Sequence, residues 1–330
     1  MSPQILVVGC GSIGERHVRC LQKTGRAQVA ICESRAPVLE KVRQDYKVEG
    51  FTGFDEALNS RRFQGVLICT PAHTHIALSL RALKSGAGLL IEKPLSTSLE
   101  GIDEFQREVE TKKSYVAIAY VYHFMPVIGA VRQFLQKGTL GKPLQVSVVA
   151  GQNFPIFRPA YREIYYTRHE TGGGAIQDAL THLINAVEWL VGPTDRIACE
   201  ARHQALEGVD VEDTVSATAR NGDALVTYSL NQFQVPNETT FQIHCENGSV
   251  MIEVHQQRWG TFLKGTPNWE FHAAPVAHRD DLYIAQAHAF LDGLEGKPNS
   301  LCTLEQAVQT LRVNLAALES ARSGQAVTIA

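Results

Sequence analysis

The chain has 330 residues, enough for two domains of ordinary size. Its 44% hydrophobic and 20% charged residues exclude a disordered chain or a collagen-like repeat. A net charge of -3, from 31 basic and 34 acidic residues without long blocks, excludes the electrostatic footprint of a nucleic-acid or anionic-membrane binder. Apolar runs fall short of the ~18 residues a membrane-spanning helix needs, and no basic stretch precedes an apolar one at the N-terminus. Neither a membrane span nor a leader is expected. The seven cysteines form no Cys-x-x-Cys pair and several sit in apolar runs, which reads as reduced, buried thiols in a cytoplasmic protein.

The first 122 residues alternate short β-branched runs with helix-patterned stretches, the rhythm of parallel strands joined by crossover helices. Strands are expected at 5–9, 29–33, 50–54, 66–70, 89–92 and 115–122, with helices near 14–24, 36–45, 55–60, 73–85 and 98–113. They close as a doubly wound parallel sheet. After Pro126 come a helix near 127–137, a strand at 144–150 and a long irregular segment over 151–171. A Gly172-Gly173-Gly174 run then opens a helix to about Val191, stopped by Gly192-Pro193. From about 195 to 255 strands alternate with turn signals such as Asn221-Gly222-Asp223 and Asn247-Gly248, which predicts a second, mainly antiparallel sheet. Helices near 280–295 and 303–323 close the chain, and there is no internal repeat. The fold class is α/β, with a Rossmann domain over 1–122 and an α+β domain over 123–330 whose last helix can pack back on the first.

Gly9-Cys10-Gly11-Ser12-Ile13-Gly14 follows an apolar strand directly and opens a helix, the context in which a glycine pattern signals dinucleotide binding rather than a convenient turn. Gly9 allows the tight turn, Gly11 admits a pyrophosphate, and Gly14 lets helix pack on strand. The helix start at Ser12 and Ile13 offers unpaired N–H groups to the phosphate. Glu33, roughly 20 residues on at the end of the second strand, suits the adenosine ribose hydroxyls, and its charge disfavours a 2′-phosphate. NAD is therefore the expected cofactor. Ser34 and Arg35 leave NADP open, through a guanidinium–phosphate pair. The fourth strand ends in Thr70-Pro71, with His75 beyond, and the fifth in Glu92-Lys93-Pro94. Both ends lie at the carboxyl edge where such a sheet meets its ligand, so Thr70, Pro71, His75, Glu92 and Lys93 are expected at the cofactor.

Asp178 and His182 are four apart on the helix after the glycine run, opposite an apolar stripe that includes Ile176, Leu180, Leu183 and Val187. Periodicity alone leaves that face either solvated or functional. No third ligand is spaced to join the pair, so no metal site is expected.

The segment 9–17, Thr70-Pro71 with His75, and Glu92-Lys93-Pro94 resemble the glucose-fructose oxidoreductase, inositol dehydrogenase and rhizopine catabolism (Gfo/Idh/MocA) family. The likeness spans the chain. Gly172-Gly173-Gly174 with Asp178 and His182, then Val211-Glu212-Asp213-Thr214 and Asn247-Gly248-Ser249, resemble that family's substrate domain in the same order. The resemblance implies that Lys93, Asp178 and His182 meet across the cleft between domains and catalyse hydride transfer between nicotinamide and a secondary hydroxyl or its ketone. In that pattern His182 takes the proton, Lys93 donates to the reacting oxygen and Asp178 supports them. Whether Lys93 or His182 is the base stays open, since neighbouring ionisable groups titrate together. The family likeness also implies a homodimer or homotetramer built through the second domain's sheet.

Residues 153–169 are rich in aromatic and guanidinium groups. Arg158, Arg162 and Arg168 suit a substrate carboxylate or phosphate, and Tyr161, Tyr165 and Tyr166 suit sugar rings or hydroxyls, unless the segment is a subunit interface. Where sugar- and polyol-acting members of the family often carry Arg before Phe, this chain has His123-Phe124, and His123 is either a cleft residue or a strand-end packing residue. Lys93, His123, Arg158, Tyr161, Arg162, Asp178 and His182 are the expected substrate contacts. The expected substrate is a sugar, a polyol or, given the arginines, an anionic sugar. Two other readings are an NAD-dependent glycoside hydrolase using transient redox and a sensor that binds NAD(H) without chemistry.

Overall fold

The computed structural model describes residues 2–329. In chain order the first elements are β1 (Gln4–Val8), α1 (Ser12–Lys23), β2 (Gln28–Cys32), α2 (Ala36–Tyr46), β3 (Glu49–Phe51), α3 (Phe54–Ser60), β4 (Gly65–Ile68), α4 (His75–Lys84), β5 (Gly88–Ile91), α5 (Ile102–Lys112) and β6 (Val116–Ile118). Next come α6 (Pro126–Gln136), β7 (Pro143–Gly151), the short α7 (Phe154–Phe157), single 3-10 turns to Thr171, a π-helical turn over Ile176–Leu180, and α8 (Thr181–Val191). There follow β8 (Arg196–Arg202), β9 (Thr214–Asn221), β10 (Ala224–Asn231), β11 (Glu238–Cys245), β12 (Gly248–Glu253), β13 (Arg258–Leu263) and β14 (Glu270–Ala273). The chain closes with α9 (Arg279–Leu294), β15 (Cys302–Thr303), α10 (Leu304–Ser323) and β16 (Val327–Thr328).

The chain divides into two compact units, one of residues 1–124 with 278–308 and one of 125–277 with 309–330. The first is built on a seven-stranded sheet of order β15-β6-β5-β4-β1-β2-β3, parallel except for β15. Its central strands are apolar on both faces because helices cover both, and β1, β4 and β5 bury nearly every residue. Val8 pairs with both Cys32 and Ile68, and Ile68 with Ile91. The register therefore brings Gly9, Glu33, Cys69 and Glu92 to one carboxyl edge.

Chain order alone assigns α9 to the domain over 123–330, but it packs in the first unit. A Cβ on Gly65 would stand 2.8 Å from the Phe290 ring, and one on Gly88 2.4 Å from Leu294. Glycine at both strand starts makes room for α9, and Asp280 then accepts two bonds from the Arg19 guanidinium, at 2.8 and 2.9 Å. The two-part division at residue 122 thus differs from the observed grouping, because the pairing that decides it lies some two hundred residues away in sequence.

The second unit holds a nine-stranded sheet of order β14-β13-β12-β11-β7-β10-β9-β8-β16. It is antiparallel except that β7 and β10 run parallel. Strict alternation along β9 and β10 buries Val215, Ala217, Val226 and Tyr228 on one face and exposes their neighbours on the other. Among the described residues no helix is long and apolar enough to cross a membrane.

Candidate active site

The glycine loop of the first unit is shaped by contacts that side chains would obstruct. Gly9 has φ of +86°, and a Cβ there would lie 2.9 Å from the Cys69 carbonyl. A Cβ on Gly14 would lie 1.8 Å from the Gly9 carbonyl, so only glycine lets α1 begin hard against β1. Gly11 is the opposite case. The nearest atom to its notional Cβ is Arg35 Nη2 at 4.0 Å, which leaves open space for a pyrophosphate beside the backbone. Ser12 and Ile13 start α1 immediately after, and no side chain caps that helix at Gly11.

Glu33 is buried at the end of β2, with four donors on its carboxylate. Oε2 accepts the Cys10 N–H at 2.9 Å and Arg35 Nη2 at 3.0 Å, while Oε1 accepts the Arg35 N–H and Nε, both at 3.0 Å. Burial alone would raise the Glu33 pKa, but the bonds from Arg35 and from the Cys10 backbone outweigh it and hold the carboxyl below its ordinary range. Ser34, between them, is exposed. The Cys10 thiol beside this charge is pushed up to about 12, first by burial and then by Glu33, so it is an unreactive thiol.

At the ends of β4 and β5 the polar groups bond chiefly to one another. Thr70 Oγ1 and Thr74 Oγ1 are 2.6 Å apart, just across Pro71. His75, expected at the cofactor, is buried between two carbonyls, with Nε2 2.8 Å from Thr70 O and Nδ1 3.0 Å from Pro94 O. Burial lowers its pKa against the opposing pull of those carbonyls. Glu92 is also buried, bonded to His17 and to the Lys93 N–H. Lys93 itself follows β5 at the carboxyl edge. His123 is buried, its Nδ1 2.9 Å from the Ser300 carbonyl, within the first unit's own packing.

In the second unit Asp178 sits in the π-helical turn, 1% exposed. Its Oδ2 accepts Arg158 Nη1 at 3.0 Å and its Oδ1 accepts the Tyr165 hydroxyl at 2.6 Å. His182 is in the first turn of α8, which Thr181 and Asn185 fasten to α10 through Asn314 and Thr310, at 2.7 and 3.0 Å. Glu212 holds the start of the π-helical turn. Its Oε1 accepts the Ile176 N–H at 2.9 Å, its carbonyl accepts the Ala175 N–H at 2.9 Å, and its Oε2 pairs with His169 Nε2. A Cβ on Gly174 would reach within 2.6 Å of that carboxylate, which accounts for the third glycine of the run. Asp213 accepts the N–H groups of Gln204, Ala205 and Leu206, and these bonds lower its pKa against the effect of burial.

Sequence reasoning therefore pointed to Arg158 and Asp178, which the fold brings together, and to Tyr161 and Arg162, which it uses elsewhere. The Tyr161 hydroxyl and Arg162 Nε both bond the Glu207 carbonyl, at 2.8 and 2.7 Å, and Tyr161 packs in an aromatic cluster with Phe154 and Tyr166. Two further residues belong to this site: Tyr165 bonds Asp178 directly, and Glu212 anchors the turn that carries it. Their signals were present, as one of three tyrosines in the irregular segment and as the acid of Val211-Glu212-Asp213-Thr214.

A family model described as "Oxidoreductase family, NAD-binding Rossmann fold" matches residues 4–120, and one for the "GFO/IDH/MocA C-terminal domain" matches 128–251. The chain is 26% identical over 284 residues to a 1,5-anhydro-D-fructose reductase of Ensifer adhaerens, covering 84% of this chain and 83% of that protein. It is 26% identical over 315 residues to an inositol 2-dehydrogenase of Ralstonia nicotianae, covering 90% and 87%. Its fold matches a levoglucosan dehydrogenase solved with NADH and levoglucosan, with a TM-score of 0.89, 18% identity and full coverage of both chains. Both halves of the chain thus match one family, and the open glycine loop and the Glu33 carboxylate fit the cofactor of its first domain: the protein belongs to the Gfo/Idh/MocA family of NAD-binding oxidoreductases.

Proposed function

We propose that the protein oxidises a secondary hydroxyl of a sugar or polyol, or reduces the matching ketone, with NAD as hydride carrier. The observation that carries this reading is Asp178, a carboxylate withdrawn from solvent yet held by a guanidinium and a phenol on a π-helical turn. Such turns recur at functional sites, and a buried carboxylate held by a specific charged partner marks a functional-site candidate. Bound NAD supplies the nicotinamide carbon that accepts or returns hydride. His182 takes or returns the hydroxyl proton, Lys93 donates to the reacting oxygen as alkoxide character develops, and Asp178 supports that proton transfer electrostatically.

The named relatives support a hydroxyl-rich substrate, since anhydrofructose and inositol are of that kind. The pairing of Arg158 with Asp178 and of Arg162 with Glu207 favours a neutral sugar or polyol over a sugar acid, because each guanidinium already faces an acceptor in the chain. The Glu33 carboxylate likewise favours NAD over NADP. We further propose that the chain assembles as a homodimer or homotetramer through the second unit's sheet.

The test is NAD⁺-dependent turnover on a panel of inositols, anhydro sugars, aldoses and sugar acids. A neutral member is the expected substrate, and Lys93→Ala, Asp178→Asn and His182→Ala each lower kcat by about 100-fold or more, while NAD⁺ affinity stays within about threefold in the Asp178 and His182 variants. No cofactor-dependent turnover across the panel, or full activity in all three variants, overturns the proposal.

A further inference from the structure

Lys93 stands on a turn whose two flanks are held by histidines from different helices. Before it, the Glu92 N–H still belongs to the sheet, donating to Ile68 O at 2.9 Å, and its side chain is buried. His17 of α1 places Nε2 2.7 Å from Glu92 Oε1, and the other oxygen of the same carboxylate accepts the Lys93 N–H at 3.1 Å. After it, His75 of α4 lies between Pro94 O and Thr70 O, one ring nitrogen at hydrogen-bond distance from each. His17, Glu92 and His75 are 2%, 6% and 1% exposed. The His17 ring is fixed from its other side by the edge of Tyr283 on α9, with centroids 5.4 Å apart.

An apolar trio at these positions would pack a doubly wound sheet at no desolvation cost, whereas a buried carboxylate without partners is strongly destabilising. A polar chain in this place therefore needs a geometric reason, and the chain leads to one atom, the Lys93 amide. We propose that His17, acting through the Glu92 carboxylate, is a positioning residue that fixes the orientation in which the Lys93 ammonium is presented at the strand edge. His75 sets the opposite flank of the same turn. The inference rests on Lys93 acting on the reacting oxygen, as proposed above. Its consequence is kinetic, because a reacting group misplaced by about 1 Å loses rate by about 100-fold.

His17→Gln keeps an N–H donor within reach of Glu92, and His17→Leu removes it at similar bulk. Both are compared with the native protein, alone and in a Lys93→Ala background. The readouts are calorimetric NAD⁺ affinity, hydrogen exchange at the Lys93 amide, and turnover of the panel member that proves active. His17→Gln is expected within about threefold of native throughout. His17→Leu is expected to keep NAD⁺ affinity within about threefold, speed exchange at the Lys93 amide by about tenfold or more, and lower kcat by about tenfold or more. Placed on Lys93→Ala it adds less than about twofold, since a residue acting through Lys93 has nothing left to position. If the Leu variant does not fold, His17→Asn, whose shorter side chain withdraws the donor from Glu92, carries the same expectations. Unchanged exchange at the Lys93 amide, or a kcat loss of equal size with and without Lys93, overturns the proposal. Undiminished kcat in Lys93→Ala alone is a different failure, that of the reading of Lys93 on which this inference stands.

Discussion

In the proposed reading, Glu33 and Arg35 set the cofactor preference through one carboxylate shared between two kinds of donor. The Arg35 guanidinium takes one position on each oxygen, and in that reading the ribose hydroxyls need those lone pairs, so the exposed side chain yields as the adenosine half enters. Glu33→Ala removes both the ribose acceptor and the charge that repels a 2′-phosphate. NAD⁺ affinity is expected to fall by about 10- to 100-fold and the preference over NADP⁺ to narrow, read by calorimetry with each nucleotide. An unchanged NAD⁺ affinity would contradict the ribose role. The position of Glu33 was legible in the sequence because the glycine pattern fixes its spacing. The Arg35 clamp was not, since a bond two residues along a turn depends on side-chain rotamers that composition does not encode. His75 shows the same limit. Its residue type suggests a ligand contact, and only the fold reveals carbonyls at both ring nitrogens.

The elements of the first unit were legible because apolar strands bounded by turn residues leave little choice of period. The π-helical turn had no such signature, because Asp178 and His182 keep helical spacing whether the local ladder is α or π. The stretch 151–171, irregular in sequence, folds as successive short turns tied down at its end by His169 and Glu212. Glu212→Ala leaves the buried Ile176 N–H without its acceptor, a loss of about 1–3 kcal/mol that calorimetry reads as a Tm several degrees lower. The pair also gives this segment a pH dependence. Its hydrogen bond to Glu212 raises the His169 pKa above the ordinary 6.5, so the stabilisation is complete below that value and is lost as pH rises through the raised one. The Tm gap between native protein and His169→Ala is therefore expected to close on the alkaline side. A gap that widens with pH would contradict the pairing.

At the scale of the whole chain, the least legible feature is strand and helix partnership across long separations. The parallel β7–β10 pair, the β15–β6 pair and the return of α9 to the first unit all join segments that local pattern treats as unrelated. The nine-stranded sheet, whose existence the turn signals did predict, carries the last expectation. Its outer face at β7 and β10 presents Val149 and Leu225, 43% and 61% exposed, among Gln145, Ser147, Thr227 and Ser229, with Leu225 opposite Gln145 and Val149 opposite Ser229. On β7 and β10 that face has no ionised side chain; Arg220 of β9 stands directly opposite Leu225, and Arg196, Glu200 and Arg202 lie beyond it on β8. An uncharged strand pair bordered by charge suits the subunit interface proposed above, and a sheet of this width can supply the roughly 800 Å² per partner that a stable one needs. Light scattering at micromolar concentration is expected to give a dimer or tetramer mass. Leu225→Arg, which buries a guanidinium against its own copy, should shift that mass toward the monomer while leaving NAD⁺ affinity within about twofold, since the glycine loop belongs to the other unit. A native protein that is monomeric at that concentration would remove this role from the sheet and leave its exposed apolar face to another partner.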